Sequence, residues 1–389
     1  MSLKLAIAGG GIGGLAAALA CARAGCDVRV LEQSAAFSEA GAGLQVGPNV
    51  TRILDRWSLG DAVRRHAAQP DSLVVRDAGD GHELGRLSLG SDFASRYGAP
   101  YLTMHRADLQ QVLLQAAREA GAALRVDSRV TGITQDETAH VTLACGAVIE
   151  ADAMVAADGA WSTLREHVVA DGPAQPTGHF AFRALALQSS LPQALRSTRV
   201  TLWLGARMHV VSYPVRSGEQ LNVVALVEKA STPPSQGWDA VGVESDLEPV
   251  LRGACCELHQ LVEAMPGWGV WALHDRTPMS GAHEMARGRV ALLGDAAHPM
   301  LPYLAQGAGM AIEDADVLAA VLADANAPTV ATAFGRYADA RWRRSAQVQA
   351  RARRNAKIFH ASGAMRFARD AAMRIAGDKL MDQPWLYAR

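Results

Sequence analysis

The stretch Leu3–Glu32, LKLAIAGGGIGGLAAALACARAGCDVRVLE, decides how the rest of the chain reads. Leu3 to Ala8 is an apolar run of strand length, and Gly9, Gly11 and Gly14 then spell G-x-G-x-x-G. Ile12 to Ala24 is rich in alanine and leucine and reads as a helix closed by Gly25. Val28 to Leu31 is a second strand that ends at Glu32. In such a βαβ start, Gly9 permits the tight turn, Gly11 lets the backbone approach a pyrophosphate, and Gly14 lets helix and strand pack closely. The helix N-terminus offers N–H groups to phosphates, and Glu32 can bond a ribose 2′-hydroxyl. The pattern predicts a dinucleotide-binding domain without choosing between NAD and FAD. Leu5 to Ala22 is also an unbroken apolar and glycine run after Lys4, the composition of a signal peptide or membrane span. Five of the six residues from Gly9 to Gly14 are glycine, which suits a turn and weakens a lipid helix, so neither is expected.

The length of 389 residues implies two or three domains and an ample core. With 49% hydrophobic and 20% charged residues the composition is that of a soluble globular protein. A net charge of −1 gives no global field that would draw nucleic acid or an anionic membrane. The five cysteines, Cys21, Cys26, Cys145, Cys255 and Cys256, lack metal-ligand spacing, so no metal site is expected and a reducing cytoplasm is the default.

Glu39–Asn49 carries Gly41, Gly43 and Gly47 and reads as a loop, either an ordinary surface loop or one whose backbone lies against something flat. Thr51 to Arg65 has helical spacing, and Ser72–Leu89 alternates like a hairpin with Gly79 and Gly81 at its turn. His105-Arg106-Ala107-Asp108-Leu109 opens a helix that Gly121 ends. Arg106 stands in its first turn, where the dipole disfavours a cation, which hints at an anionic partner; an exposed arginine is the commoner explanation. Ala153–Ala157 is a buried strand, followed by Asp158-Gly159 and by Ser162 as a helix cap. Phe180–Leu187, Arg199–Leu204, His209–Pro214 and Leu221–Val227 predict an antiparallel sheet forming a second domain. Val243–Met265 looks helical. Arg289–Leu293 is a strand running into Gly294-Asp295-Ala-Ala-His298-Pro299, and a helix is expected from near Ala308 to Asp324. Val330 to Arg389 is mostly helical, with the arginines of Arg341–Lys357 on a solvated face.

Three separated motifs now stand together: Gly9-x-Gly11-x-x-Gly14 with Glu32, Asp158-Gly159 with Ser162 and Arg165, and Gly294-Asp295-Ala-Ala-His-Pro. The set resembles the single-component FAD-dependent aromatic hydroxylases, the para-hydroxybenzoate hydroxylase family of flavoprotein monooxygenases. The phrases GAGLQVGPN, HRADLQ and PYLAQGAGMAIEDA are similar to the branch holding salicylate hydroxylase, the meta-hydroxybenzoate hydroxylases and the hydroxynicotinate monooxygenases. The fold so implied is α/β (α+β overall). A Rossmann-like FAD-binding domain from residues 1–71, 101–175 and 275–330 carries an inserted antiparallel-sheet substrate domain from 72–100 and 176–274. A C-terminal helical region covers 331–389.

The resemblance also implies roles. Gly9, Gly11, Gly13, Gly14, Glu32 and Gln33 would bind the ADP half of FAD. Arg106 would reach the pyrophosphate or ribityl chain, Asp158 would serve FAD and a transient NADH or NADPH, and Gly294 and Asp295 would meet the ribityl hydroxyls. Gly307, Ala308, Gly309 and Met310 would aim a helix N-terminus at the flavin pyrimidine edge, and Gly43 and Leu44, within the Gly41–Gln45 backbone, would line the isoalloxazine. The implied reaction uses NAD(P)H and O2 to hydroxylate a small aromatic substrate through an oxygen adduct at flavin C4a. The substrate hydroxyl is best deprotonated by a base near neutrality, and His209 is the candidate, with Tyr213 four residues on and so on the same face of the strand. In a strand met without the resemblance, a lone histidine is more often structural and Tyr213 plain core. Gln45, Arg183, Pro302 and Tyr303 complete the candidate pocket. Gln45 stands where hydroxynicotinate enzymes of the branch carry histidine, which argues against that substrate. Arg183 fits a substrate carboxylate or a structural ion pair equally. His298 is expected to be structural. A flavin-dependent reductase or dehydrogenase, or a non-catalytic flavin-binding module, are the competing readings. No nucleic-acid or membrane partner is expected, and the oligomer is a monomer or homodimer.

Overall fold

The computed structural model describes residues 2–37, 42–228, 240–242 and 246–388. The chain divides into two compact units. The first holds Met1–Glu39, Leu109–Gln175 and His274–Ala352; the second holds Ala40–Asp108, Pro176–Leu273 and Arg353–Arg389.

In the first unit, Lys4–Ala8 pairs in parallel with both Asp27–Leu31 and Ala153–Ala156. Ala123–Arg125 extends the sheet beyond Asp27–Leu31, Val290–Leu292 extends it beyond Ala153–Ala156, and Ala286–Arg287 closes that edge antiparallel. The central strands Lys4–Ala8, Ala153–Ala156 and Val290–Leu292 read as near-continuous apolar runs because they are buried on both faces. The helix Ile12–Arg23 is buried from Leu15 to Leu19 with no exposure at all, and its small residues let the helix Gly307–Leu322 pack against it. Val130–Gln135, Ala139–Leu143 and Val148–Ala151 form a separate antiparallel sheet.

The second unit is built on an eight-stranded sheet. Its order is Ala240–Gly242, Trp268–Asp275, Gln175–Leu187, Gln220–Glu228, Met208–Val215, Val200–Gly205, Ser72–Asp77 and Glu83–Ser88. One face carries Phe180, Phe182, Trp203, Met208, Val210, Val223, Ala225 and Val227 in a single apolar cluster. The expected antiparallel sheet is corrected at one place: Val200–Gly205 runs parallel to Ser72–Asp77. The reason is connectivity, since the chain returns to the hairpin only after a long excursion, and parallel neighbours require such a crossover.

Other expectations change locally. The helix over Thr51–Arg65 is two, Pro48–Arg56 and Gly60–His66, broken where Ser58 takes φ 57°. The expected loop at Glu39–Asn49 contains a strand, Gly43–Val46, paired with Leu102–His105. Gly41 lies outside the described residues. Val243–Met265 holds Glu248–Leu251 and Cys256–Glu263, with 243–245 also outside them. Ser162 does cap, its Oγ accepting from Arg165 N at 3.0 Å, over a 3₁₀ turn at Leu164–His167. The C-terminal helices are Val330–Phe359, Gly363–Met381 and Pro384–Tyr387. Arg341 is buried rather than solvated. Among the described residues no helix is long and apolar enough to cross a membrane.

Candidate active site

In the first unit the three motifs converge. Gly9 has φ +105°, and a Cβ there would sit 2.4 Å from the Ala157 carbonyl oxygen, next to Asp158. A Cβ on Gly14 would lie 1.9 Å from the Gly9 oxygen, and one on Gly13 would meet Leu293 at 2.9 Å. Each glycine is therefore required by close packing of turn, helix and strand. No side chain caps the helix that begins after Gly11, which leaves its first amides for a ligand. Glu32 closes the turn: its Oε2 accepts from Gly10 N at 2.6 Å and its Oε1 from Ser34 N at 2.8 Å, with Gln33 exposed beside it. Gln110, buried in the helix Arg106–Glu119, donates to the Gly10 carbonyl at 3.0 Å. Sequence reasoning missed this residue. Its signal was a glutamine on the apolar stripe of an amphipathic helix.

Asp158 Oδ2 accepts from Thr163 N at 3.1 Å, while its Oδ1 is buried without a partner. Burial raises its pKa against the hydrogen bonds from Ser162, Leu164 and Thr163 that work to lower it. Arg165, also buried, ties this motif to the third by donating to the carbonyls of Ala296 and Ala297 at 2.9 and 2.5 Å. Asp314, with no exposure, accepts from Gly294 N at 3.0 Å, His298 Nε2 at 2.6 Å and Arg341 Nε at 2.7 Å. Burial alone would raise the Asp314 pKa, but His298 and Arg341 hold it down at about 2. His298 is thus structural, fixing the turn that carries Asp295. Asp295 is half-buried, and a Cβ on Gly307 would come 3.6 Å from its Oδ1, so it stands at the start of the helix Gly307–Leu322. No side chain caps that helix either; Ala308 is half-buried, and Gly309 and Met310 are buried. Tyr303 is buried and Pro302 exposed in the preceding turn.

In the second unit, strand register sorts the remaining candidates. His209 is opposite Leu226, Val211 opposite Val224, and Tyr213 opposite Asn222. Arg183 is opposite Val224 and His179 opposite Glu228. These residues share the face opposite to the apolar cluster. Tyr213 and Asn222 hold Gly43: the Asn222 Oδ1 accepts from Gly43 N at 2.8 Å, and a Cβ there would meet the Tyr213 ring at 2.4 Å. Burial raises the Tyr213 pKa, with Arg183 opposing. Arg183 stacks on Trp271, its Cζ 3.3 Å from the ring centroid, a contact that no local pattern announces. Gln45 Oε1 accepts from the Tyr101 hydroxyl at 2.6 Å, and Leu44 is half-buried. Arg106 opens its helix with N donating to Ala42 O at 2.8 Å.

His209 is fully enclosed. Its Nδ1 lies 3.0 Å from His360 Nε2, and His360 Nδ1 lies 3.0 Å from Glu228 Oε1. Burial lowers the His209 pKa far below its ordinary value, with His360 and His179 adding to it. His360 is pulled down to about 4 by burial, against its bond to Glu228. At about 3.3 Å per residue, His209 and Tyr213 are roughly 13 Å apart along the strand. They share a face but not a partner. His360 and Glu228 carried no motif and were missed. His179, Glu228 and His360 offer donor atoms within 4.8 Å of one another, the one metal-like group among the described residues. The rings of His179 and His360 are stacked at 22°, so their in-plane lone pairs run side by side instead of converging on an ion.

The first unit's geometry fits FAD: glycine cradle, uncapped helix N-terminus and an orphaned Asp158 oxygen. Residues 2–352 match the FAD binding domain family. The chain is 38% identical over 370 residues to the 3-hydroxybenzoate 6-hydroxylase of Polaromonas naphthalenivorans (strain CJ2), covering 95% of this chain and 91% of that protein. It is 37% identical over 390 residues to a 3-amino-4-hydroxybenzoate 2-monooxygenase of Streptomyces platensis, covering 99% and 95%. The structure of a salicylate hydroxylase substrate complex superposes with a TM-score of 0.84 at 26% identity, over 99% of this chain and 95% of that one. The chain belongs to the FAD-dependent aromatic hydroxylase family. It is an enzyme, an FAD-dependent aromatic-ring monooxygenase.

Proposed function

We propose that this enzyme hydroxylates a phenol bearing a carboxylate, of the hydroxybenzoate type, using O2 and NADH or NADPH. Reduced FAD, when bound, activates dioxygen and supplies the electrophilic oxygen. The chain's residues do the rest. Gly9, Gly11, Gly13, Gly14, Glu32 and Gln33 hold the ADP half. Arg106, Asp158, Gly294 and Asp295 hold the pyrophosphate and ribityl chain. The helix beginning at Gly307, Ala308, Gly309 and Met310 places its positive end where negative charge develops. Gly43 and Leu44 contribute backbone to the ring site. His209 takes the proton from the substrate hydroxyl, which makes the ring electron-rich. Tyr213, Gln45 and Arg183 of the second unit bind the substrate and exclude water, and Pro302 and Tyr303 are substrate-binding candidates of the first unit. The reducing cytoplasm suits the five cysteines, which form no disulfide.

The observation that carries this reading is the meeting of Gly9, Asp158 and Gly294 through Ala157, Arg165 and Leu293, which brings three distant segments together. The test is a panel of 3-hydroxybenzoate, 3-amino-4-hydroxybenzoate and salicylate. One of them should accelerate NAD(P)H oxidation with matching oxygen uptake and a hydroxylated product. NAD(P)H oxidation that proceeds without oxygen incorporation would instead mark a reductase.

A further inference from the structure

The sheet face that carries His209 leads outward through two more side chains. His209 is 3% exposed, the His360 side chain 1%, and the Glu228 side chain 32%. The donor–acceptor spacings along this line are 3.0 Å and 3.0 Å. The line therefore starts in a dry interior and ends at water. It joins two strands to a segment remote in sequence, since His360 follows the helix Val330–Phe359. Backbone bonds hold the line in place. Arg207 N donates to His360 O at 3.1 Å, Glu228 N donates to Arg207 O at 3.0 Å, and Arg369 Nη1 donates to Phe359 O at 2.8 Å. The Phe359 ring packs edge-on against His209 at 5.4 Å.

We propose that His209, His360 and Glu228 form a proton relay, in which His360 and Glu228 carry to solvent the proton that His209 removes from the substrate hydroxyl. The proposal rests on the reading of His209 as the base. The atoms balance as follows. The substrate O–H bond breaks and an N–H bond forms at His209 Nε2. The proton on His209 Nδ1 passes to His360 Nε2, and the proton on His360 Nδ1 passes to Glu228 Oε1. Glu228 releases it to water. The substrate is left as its anion, and both imidazoles end neutral with the proton on Nε2, so neither ring holds a charge in the interior, where a lone charge is heavily penalised. When the product oxygen is reprotonated from His209 Nε2, the same transfers run in reverse, Glu228 drawing a proton from water, and both rings return to the Nδ1–H form. A base oriented by a second group, itself bonded to a carboxylate, is a known solution to this problem. His360 and Glu228 are positioning residues for His209.

Other charges face the line. His179 stacks on His360 at 5.2 Å. Arg207 Nε lies 3.4 Å from Glu228 Oε2, and Arg369, paired with Asp370, acts on His360. The two hydrogen bonds of the line run directly between the three relay residues.

The test uses FAD-loaded enzyme with 3-hydroxybenzoate as substrate and three variants, His209→Ala, His360→Gln and Glu228→Gln. His209→Ala should lose about 100-fold or more in kcat. His360→Gln and Glu228→Gln should lose about 10-fold in kcat at pH 7 with KM little changed, less than the ~100-fold or more expected for the base itself because they act through His209. That loss should shrink as pH rises, because the phenol then arrives already ionised. A purely structural defect would be the same at every pH. In FAD-loaded enzyme without substrate, 15N NMR of labelled histidines should show both rings as Nδ1–H tautomers. A wild-type rate in His209→Ala overturns the base reading. A slow His209→Ala beside wild-type rates in the other two, or an Nε2–H tautomer at either ring, overturns the relay alone.

Discussion

Replacing Arg341 by methionine removes the cation between two buried carboxylates. Arg341 is 4% exposed, and donates to Asp314 Oδ1 at 2.7 Å and to Glu313 Oε2 at 2.9 Å. Breaking a buried pair from one side costs about 3–5 kcal/mol. Glu313 keeps Arg344, which donates to both of its oxygens at 2.5 and 2.7 Å. Asp314 keeps His298 and the Gly294 amide. The low end therefore applies, about 3 kcal/mol. At about 2–4 °C per kcal/mol for units of this size, the melting temperature should fall by about 6–12 °C. Methionine fills most of the vacated stem volume, so the loss reports charge rather than cavity. Because Asp314 also holds Gly294 N, flavin retention should weaken in parallel. Thermal melts followed by circular dichroism and by released flavin fluorescence read both effects. Adding Asp314→Asn to Arg341→Met should recover part of the loss, since the uncompensated charge is then gone. A melting temperature within 1 °C of the parent (well below the ~2 °C floor for 1 kcal/mol), or a double variant no better than the single one, would refute the argument.

Two further outcomes are expected. Gly14→Ala places a Cβ 1.9 Å from the Gly9 carbonyl oxygen, so the purified variant should be colourless and fail to take up added FAD by absorbance titration. Acidification should destabilise the second unit through His360, whose folded pKa of about 4 lies below the free value of 6.5. The unfolded chain binds the proton first, so this contribution is intact above pH 6.5 and lost as pH falls toward 4, amounting to about 2 kcal/mol at pH 5. His209 adds in the same direction. Urea midpoints at pH 7.5 and pH 5 should differ more in the parent than in His360→Gln; equal differences would contradict this.

Local chemistry made much of this protein legible. Gly9, at φ +105°, and Gly14, whose Cβ would strike the Gly9 carbonyl oxygen, are set by short-range turn geometry, and Glu32 ends the strand that the pattern requires. Strand alternation likewise puts His209 and Tyr213 on one face from sequence alone, because the period of two is a property of the extended backbone. Tertiary structure alone decided what those side chains meet. His360 comes from a segment 151 residues beyond His209, and no local pattern announces that encounter. Arg341 looked like one arginine among many on a helix until Glu313 and Asp314 were brought opposite it, and the stacking of Arg183 on Trp271 joins two strands far apart in sequence. Backbone rules act over a few residues and are written in sequence, whereas the burial and pairing of charges depend on which distant surfaces the fold closes together.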